Sequence, residues 1–359
     1  MSGPFIGERV LLAREAAGLT QLELSARSGV AQGTISAIET VKTLNPAQVT
    51  IEAIAAATGF PISFFSLGAL PDFPEGSFRR LSRGTSRSAD QVRAQTRNVA
   101  EVVQRAEKHY VLPPINMSPI PSDTLWRPER PGERPDATAI ERMAVTVRAF
   151  MRVGESDPIP NLTRAIERAG VIVIKMPVPI VDHYGFSVWP DFGIGGRPLI
   201  AFAREDSGDR ARFTLAHELG HLLLHTNRMV LDKKTAESEA NRFAGALLVP
   251  KKMALNIIKA PVTLGTLMPV KAFTGASIGV LAKRARDLEI IDQSHYVSLR
   301  KQLSARKWTK HEPVEVVQED TSLLGRLLRV LAGEGSWVER SARVGMPAFT
   351  LRALISDSA

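Results

Sequence analysis

Cysteine is absent from all 359 residues. Disulfides and thiolate metal ligands are thereby excluded, and any metal centre has to be built from histidine and carboxylate. Aromatic residues are scarce at 6%, and no apolar run reaches the ~18 residues needed to cross a bilayer. Met1-Ser2-Gly3-Pro4 leads into a helical pattern without the basic and apolar segment of an export signal. These absences set the expectation of a cytoplasmic protein with no membrane partner. Positive charge is abundant: 46 Lys and Arg stand against 37 Asp and Glu, a net of +9. A hydrophobic content of 44% is enough for a multidomain chain with roughly two or three small cores.

The most specific pattern is His217-Glu218-Leu219-Gly220-His221. It lies in a segment of helical periodicity, Arg210 to His225, with Asp209 as the expected N-cap and Phe213, Leu215, Ala216, Leu219, Leu222 and Leu223 as the buried stripe. On a helix, positions i and i+4 share a face, so both imidazoles can reach one tetrahedral Zn²⁺ and the adjacent Glu218 can serve as general base. That is a metallopeptidase arrangement.

A third protein ligand is then required. The next helical segment, Ala236 to Leu248, starts 15 residues after His221 and is closed by Val249-Pro250. Glu237 and Asn241 share one of its faces, which suits Glu237 as ligand and Asn241 as a hydrogen-bond partner of a ligand histidine. Glu239 is the second choice for the ligand. His225 continues the i, i+4 series, where a supporting or packing role is expected. His183, Tyr184, Arg212 and His225 are the candidates for stabilising an oxyanion.

The strings RFTLAHELGHLLLH (Arg212 to His225) and ESEANRFAGALLVP (Glu237 to Pro250) resemble the ImmA/IrrE group of bacterial zinc metallopeptidases. The resemblance implies a zincin-like, gluzincin-type α+β domain. It further implies His217, His221 and Glu237 as zinc ligands, Glu218 as base, and as protein substrate a helix-turn-helix repressor whose removal relieves transcription.

A separate signal occupies Phe5 to Phe65, which reads as five short helices. Thr20 and Glu23 form a capping-box pattern, Gly29 supplies a tight turn, and Gln32 to Glu39 reads as a recognition helix with Ile35 and Ile38 inward. The pattern resembles the XRE, phage-repressor-like helix-turn-helix. It implies DNA as a partner, with Gln21, Gln32, Gly33, Thr34 and Ser36 as the contact residues and a two-fold homodimer matched to operator half-sites. Residues 1–70 nevertheless carry four cations against five carboxylates, a net of −1, which leaves weak DNA binding or a dimerisation role as the competing reading. Positive charge gathers in 78–110 (eight against three) and in 259–310 (ten against three), and these stretches are expected to help hold nucleic acid.

The expected organisation is an all-α helix-turn-helix domain at 1–70, a basic polar helix (Ser88 to about Tyr110) and Pro-rich linker within 71–136, the zincin-like peptidase domain at 137–260, and a helical C-terminal region at 261–359. Within the peptidase domain, helices are expected at Ala137–Met151 and Asn161–Ala169, and strands at Gly170–Met176, Gly185–Trp189 and Pro198–Phe202. The tail echoes the first module, with Ala342, Gly345, Thr350 and Leu351 aligning with Ala26, Gly29, Thr34 and Ile35. A core-forming helical pair is the expectation there. The functional expectation is a transcription regulator fused to a zinc endopeptidase that acts in a stress, mobile-element or toxin–antitoxin setting. The alternative is a regulator whose zincin fold senses a ligand or metal without proteolysis.

Overall fold

The structure, a computed structural model, describes residues 5–40, 45–71, 73, 86–116, 137–176, 185–190, 196–203, 207–226, 232–309 and 311–356. Most of the Pro-rich linker, together with His183 and Tyr184, lies outside them.

Helices α1 (Gly7–Ala16), α2 (Gln21–Ser28), α3 (Gln32–Thr40) and α4 (Gln48–Thr58) and a 3-10 turn at Ile62–Ser66 make the first module. Thr20 caps α2 by accepting from Glu23 N at 3.2 Å while Glu23 accepts from Thr20 N at 2.8 Å. Gly29 then ends α2 in the left-handed region (φ 71°), where a Cβ would be strained. Leu24, Ile35, Ile38, Ile54, Phe64 and Phe65 form the core.

Helix α5 (Ser86–Glu107) departs from the expected basic polar helix holding nucleic acid. Val92, Val99, Ala100, Val102, Val103 and Ala106 are buried, so it is a strut between the first module and the sheet. Its described arginines are engaged: Arg87 with Glu23 (2.8 Å), Arg97 with Glu8 (3.1 Å), Arg93 with Asp90, and Arg105 with the Val344 carbonyl. The Arg9 guanidinium grips Glu101 through two bonds of 2.6 and 3.1 Å, both groups buried. Arg87, Arg97 and Arg105 on this helix therefore tie it to the first module and to the C-terminal helices.

The middle of the chain runs α6 (Ala137–Phe150), α7 (Leu162–Arg168), β1 (Ile172–Lys175), β2 (Gly185–Val188), β3 (Leu199–Phe202), α8 (Gly208–His225), α9 (Lys233–Leu248), α10 (Lys251–Ile257), α11 (Leu264–Thr274), α12 (Ile278–Asp287) and α13 (Gln293–Ala305). The strand order is β1-β3-β2, parallel for β1/β3 and antiparallel for β2/β3. Because side chains alternate across a sheet, Val173, Ile200 and Phe202 join the α6–α13 core, while Ile172, Ile174, Phe186, Val188, Leu199 and Ala201 face α5 and the C-terminal helices.

Helix α8 begins earlier than expected, with Ser207 at the N-cap position. Asp209 lies in the first turn, where its buried carboxylate accepts from Lys271 Nζ at 2.7 Å instead of capping the helix. Lys271 also meets Glu312 at 2.9 Å, Arg284 is paired with Glu141, and Lys283 with Asp287. Much of the second basic stretch is likewise structural.

The last helices are α14 (Leu323–Ala332), α15 (Trp337–Val344) and α16 (Ala348–Ser356). They form a buried core with the sheet, as expected of the tail, and they also repeat the first module's spacing. Helices α1, α2 and α3 start at 7, 21 and 32 and end at 16, 28 and 40; α14, α15 and α16 start at 323, 337 and 348 and end at 332, 344 and 356. Every boundary is displaced by the same interval. The turn chemistry repeats too, since Ser336 and Glu339 form a capping box and Gly345 is left-handed at φ 77°. Reciprocal caps fasten this unit to the middle domain. Glu167 in α7 accepts from Ser322 N and Leu323 N at the start of α14, and Glu319 accepts from Leu162 N and Thr163 N at the start of α7. Among the described residues no single helix is long and apolar enough to cross a membrane.

Candidate metal centre

The centre forms where α8 and α9 cross. Gly220, the fourth residue of the HELGH string, makes the close crossing possible: a Cβ there would lie 2.9 Å from the Phe243 ring and 3.3 Å from Ala240 Cα. Asp232 starts α9 by accepting from Thr235 N at 2.7 Å, and the helix then brings Glu237 and Asn241 opposite the histidines.

His217 Nε2 and His221 Nε2 are 3.0 Å apart, and Glu237 oxygens lie 3.4 and 3.5 Å from them. These three side chains are the group among the described residues able to offer three ligand atoms to one ion. Tetrahedral zinc with bonds of about 2.0–2.2 Å separates its ligand atoms by about 3.4 Å, so the spacing fits.

The surrounding hydrogen bonds fix the imidazole tautomers. Asn241 Oδ1 lies 3.2 Å from His217 Nδ1 and accepts a hydrogen bond from it, so the proton stays on Nδ1 and Nε2 keeps a lone pair. Behind the second ligand, Glu239 Oε2 is 3.0 Å from His225 Nε2, and His225 Nδ1 is 2.8 Å from His221 Nδ1. A carboxylate acceptor requires the proton on His225 Nε2. The neutral ring then accepts at Nδ1 from His221 Nδ1–H, which leaves His221 Nε2 as a donor to metal. Two lone pairs facing each other at 3.0 Å repel unless a cation lies between them, so the donor set fits a metal ion.

Without a metal, Nε2 can carry a proton instead: burial works against charge on His217, but the hydrogen bond to Glu237, with Glu218 and Asn241 nearby, outweighs it and raises the imidazole pKa. In turn, hydrogen bonds from His217 and His221 hold the half-buried Glu237 carboxyl far below the usual carboxylate range.

Glu218 is buried, and its Oε2 accepts from Ser187 Oγ of β2 at 2.8 Å. Gly185 also faces it, since a Cβ there would fall 2.6 Å from Glu218 Cγ. Sequence reasoning passed over both residues. Their signal is a small and a polar residue at alternate positions of an apolar strand, which share one face. His225 and Glu239 were noticed singly, but the bond that joins them depends on the helix crossing.

Two oxyanion candidates are otherwise committed. Arg212 is buried and bonded to Glu319 and to the Ile159 carbonyl, so its donors point away from the centre. His225 sits behind His221, between that ring and Glu239.

In the first module Gln32, Gly33 and Thr34 are exposed on α3, and Ser36 is half-buried. Gln21 is held from both ends: its Nε2 donates to Glu39 at 2.9 Å and its Oε1 accepts from Gln32 Nε2 at 2.8 Å. Arg14 fixes Glu39 in turn at 2.6 and 3.1 Å.

A His-His-Glu cluster on crossed helices beside a small mixed sheet, preceded by a helix-turn-helix, is the layout of a metallopeptidase-type domain joined to a DNA-binding module. The family comparisons agree. Residues 166–286 match the model of the IrrE N-terminal-like domain, peptidase M78, and residues 10–65 match the helix-turn-helix model. The chain is thus a fusion of an XRE-type helix-turn-helix with an ImmA/IrrE-type peptidase-family domain. No curated protein matches it.

Proposed function

We propose that the chain is a DNA-binding regulator and zinc-dependent endopeptidase, which cleaves a helix-turn-helix repressor or antitoxin to switch expression in a stress, mobile-element or toxin–antitoxin setting. The observation that carries this reading is the convergence of His217 Nε2, His221 Nε2 and Glu237 at tetrahedral spacing, with Glu218 held beside them by Ser187.

Zinc bound by these three side chains supplies Lewis acidity toward a peptide carbonyl and toward water. Glu218 takes the proton of the attacking water on its carboxylate and passes it to the leaving amine. The Ser187 bond keeps one Glu218 oxygen oriented, so that the other is directed at the reacting atoms. Asn241 and the His225–Glu239 pair keep the two imidazoles in the tautomer that binds zinc. Strand β2 pairs only with β3 among the described residues, and its other edge can accept an extended substrate as an added strand next to Glu218.

On the DNA side, Gln32, Gly33, Thr34 and Ser36 face the major groove, and Gln21 orients Gln32. The functional unit on an operator is a two-fold dimer.

Proteomes of the native host carrying the wild type or Glu218→Gln test the peptidase reading. The wild type should deplete at least one DNA-binding protein and generate its new termini, and the variant should do neither. Identical proteomes and identical regulation would favour a sensor without proteolysis.

A further inference from the structure

The repeat of the first module at the C-terminus leaves a cavity of about 480 Å³ between the two copies. That volume is in the range of sites for small organic ligands. On one side are Ala56 to Phe60 at the end of α4, on another Pro347 to Thr350 at the start of α16, and the floor includes Ile174 and Met176. The face that α3 presents to solvent is thus turned onto a cavity in its counterpart α16, where Ala348, Phe349 and Thr350 occupy the places of Gln32, Gly33 and Thr34.

The chemistry of the walls selects a ligand. Most of the lining is apolar, and Arg27, exposed at the rim, is its one charged residue among those described. Arg27 has no carboxylate partner among the described residues. On the α5 wall, Gln95 donates from Nε2 to the Ala16 carbonyl at 3.0 Å, which fixes its side chain against α1. A cation at the rim and apolar walls suit a compact organic anion with a largely apolar, aromatic or branched body. Among the described residues no carboxylate lines the cavity to attract a cationic ligand.

We propose that this cavity is an effector site for such an amphipathic organic acid. The ligand touches the DNA-reading module and strand β1 at once, so its binding is linked to how the two are held together.

The probe is 1-anilinonaphthalene-8-sulfonate, which carries an anion, aromatic rings and one N–H, with the uncharged N-phenyl-1-naphthylamine as its analogue. Fluorescence titration of the full chain should show one sulfonate site per chain. Ala57→Trp should abolish it by filling the cavity. Arg27→Ala, an exposed change that leaves the core intact, should weaken the sulfonate about tenfold while leaving the uncharged analogue unchanged. Circular dichroism of both variants should match the wild type. Absence of binding would overturn the proposal. So would several equivalent sites, or binding unaffected by Arg27→Ala.

Discussion

At the residue scale, each histidine of the proposed zinc site is fastened through its Nδ1, and the two fastenings differ. His217 depends on one amide, whereas His221 depends on a second histidine that is itself held by a carboxylate. His225→Ala and Glu239→Gln should each weaken zinc binding by about 10–100-fold without removing a ligand. Competition with a chromophoric chelator measures this, and unchanged affinity in both would show the pair to be packing alone. Gly185→Ala should act on the other group, pushing Glu218 aside so that zinc is retained and cleavage lost; a fully active variant would contradict the placement of Glu218. The HELGH string was legible because all its parts lie on one helix, where spacing alone fixes the face. Ser187 was not, because its partner lies 31 residues away and only the position of the strand against α8 joins them.

At the element scale, two contacts decide the architecture. Gly220 lets α8 and α9 approach, and Gly220→Ala should cost about 1–3 kcal/mol through overpacking against Phe243 while lowering zinc occupancy. Denaturant titration with metal analysis tests both parts. Glu101 neutralises Arg9 inside the α1–α5 contact, and removing one member of a buried pair leaves an unpaired charge. Glu101→Ala should therefore destabilise by about 3–5 kcal/mol, and a loss below about 1 kcal/mol would show that water reaches Arg9. Helix α5 also shows where sequence reading stops. Its arginines suggested a nucleic-acid surface, but several of their partners, from Glu8 to the Val344 carbonyl, are distant in sequence. The strands were found within a residue or two of their ends, because continuous β-branched and apolar runs mark strands buried on both faces.

At the scale of the whole molecule, the order of helix-turn-helix, small-sheet domain and helical tail could be read from local patterns, since each has its own periodicity and turn residues. The depth of the tail's echo could not. Few side chains repeat between Gly7–Thr40 and Leu323–Ser356, while the helix lengths, capping boxes and left-handed glycines do. Backbone geometry is kept by fewer residues than the surface that uses it. Zinc held between two helices of the central core, as proposed, would also be tied to stability. Chelation should lower the melting temperature of the full chain, by an amount that grows with the zinc excess before chelation, as ligand linkage requires.

Zinc between α8 and α9 is measured most directly as metal content per chain after purification and reconstitution, wild type beside His217→Ala. About one zinc per wild-type chain and a small fraction of that in the variant is the expected result. A wild type without zinc, or a variant that holds as much, would contradict it.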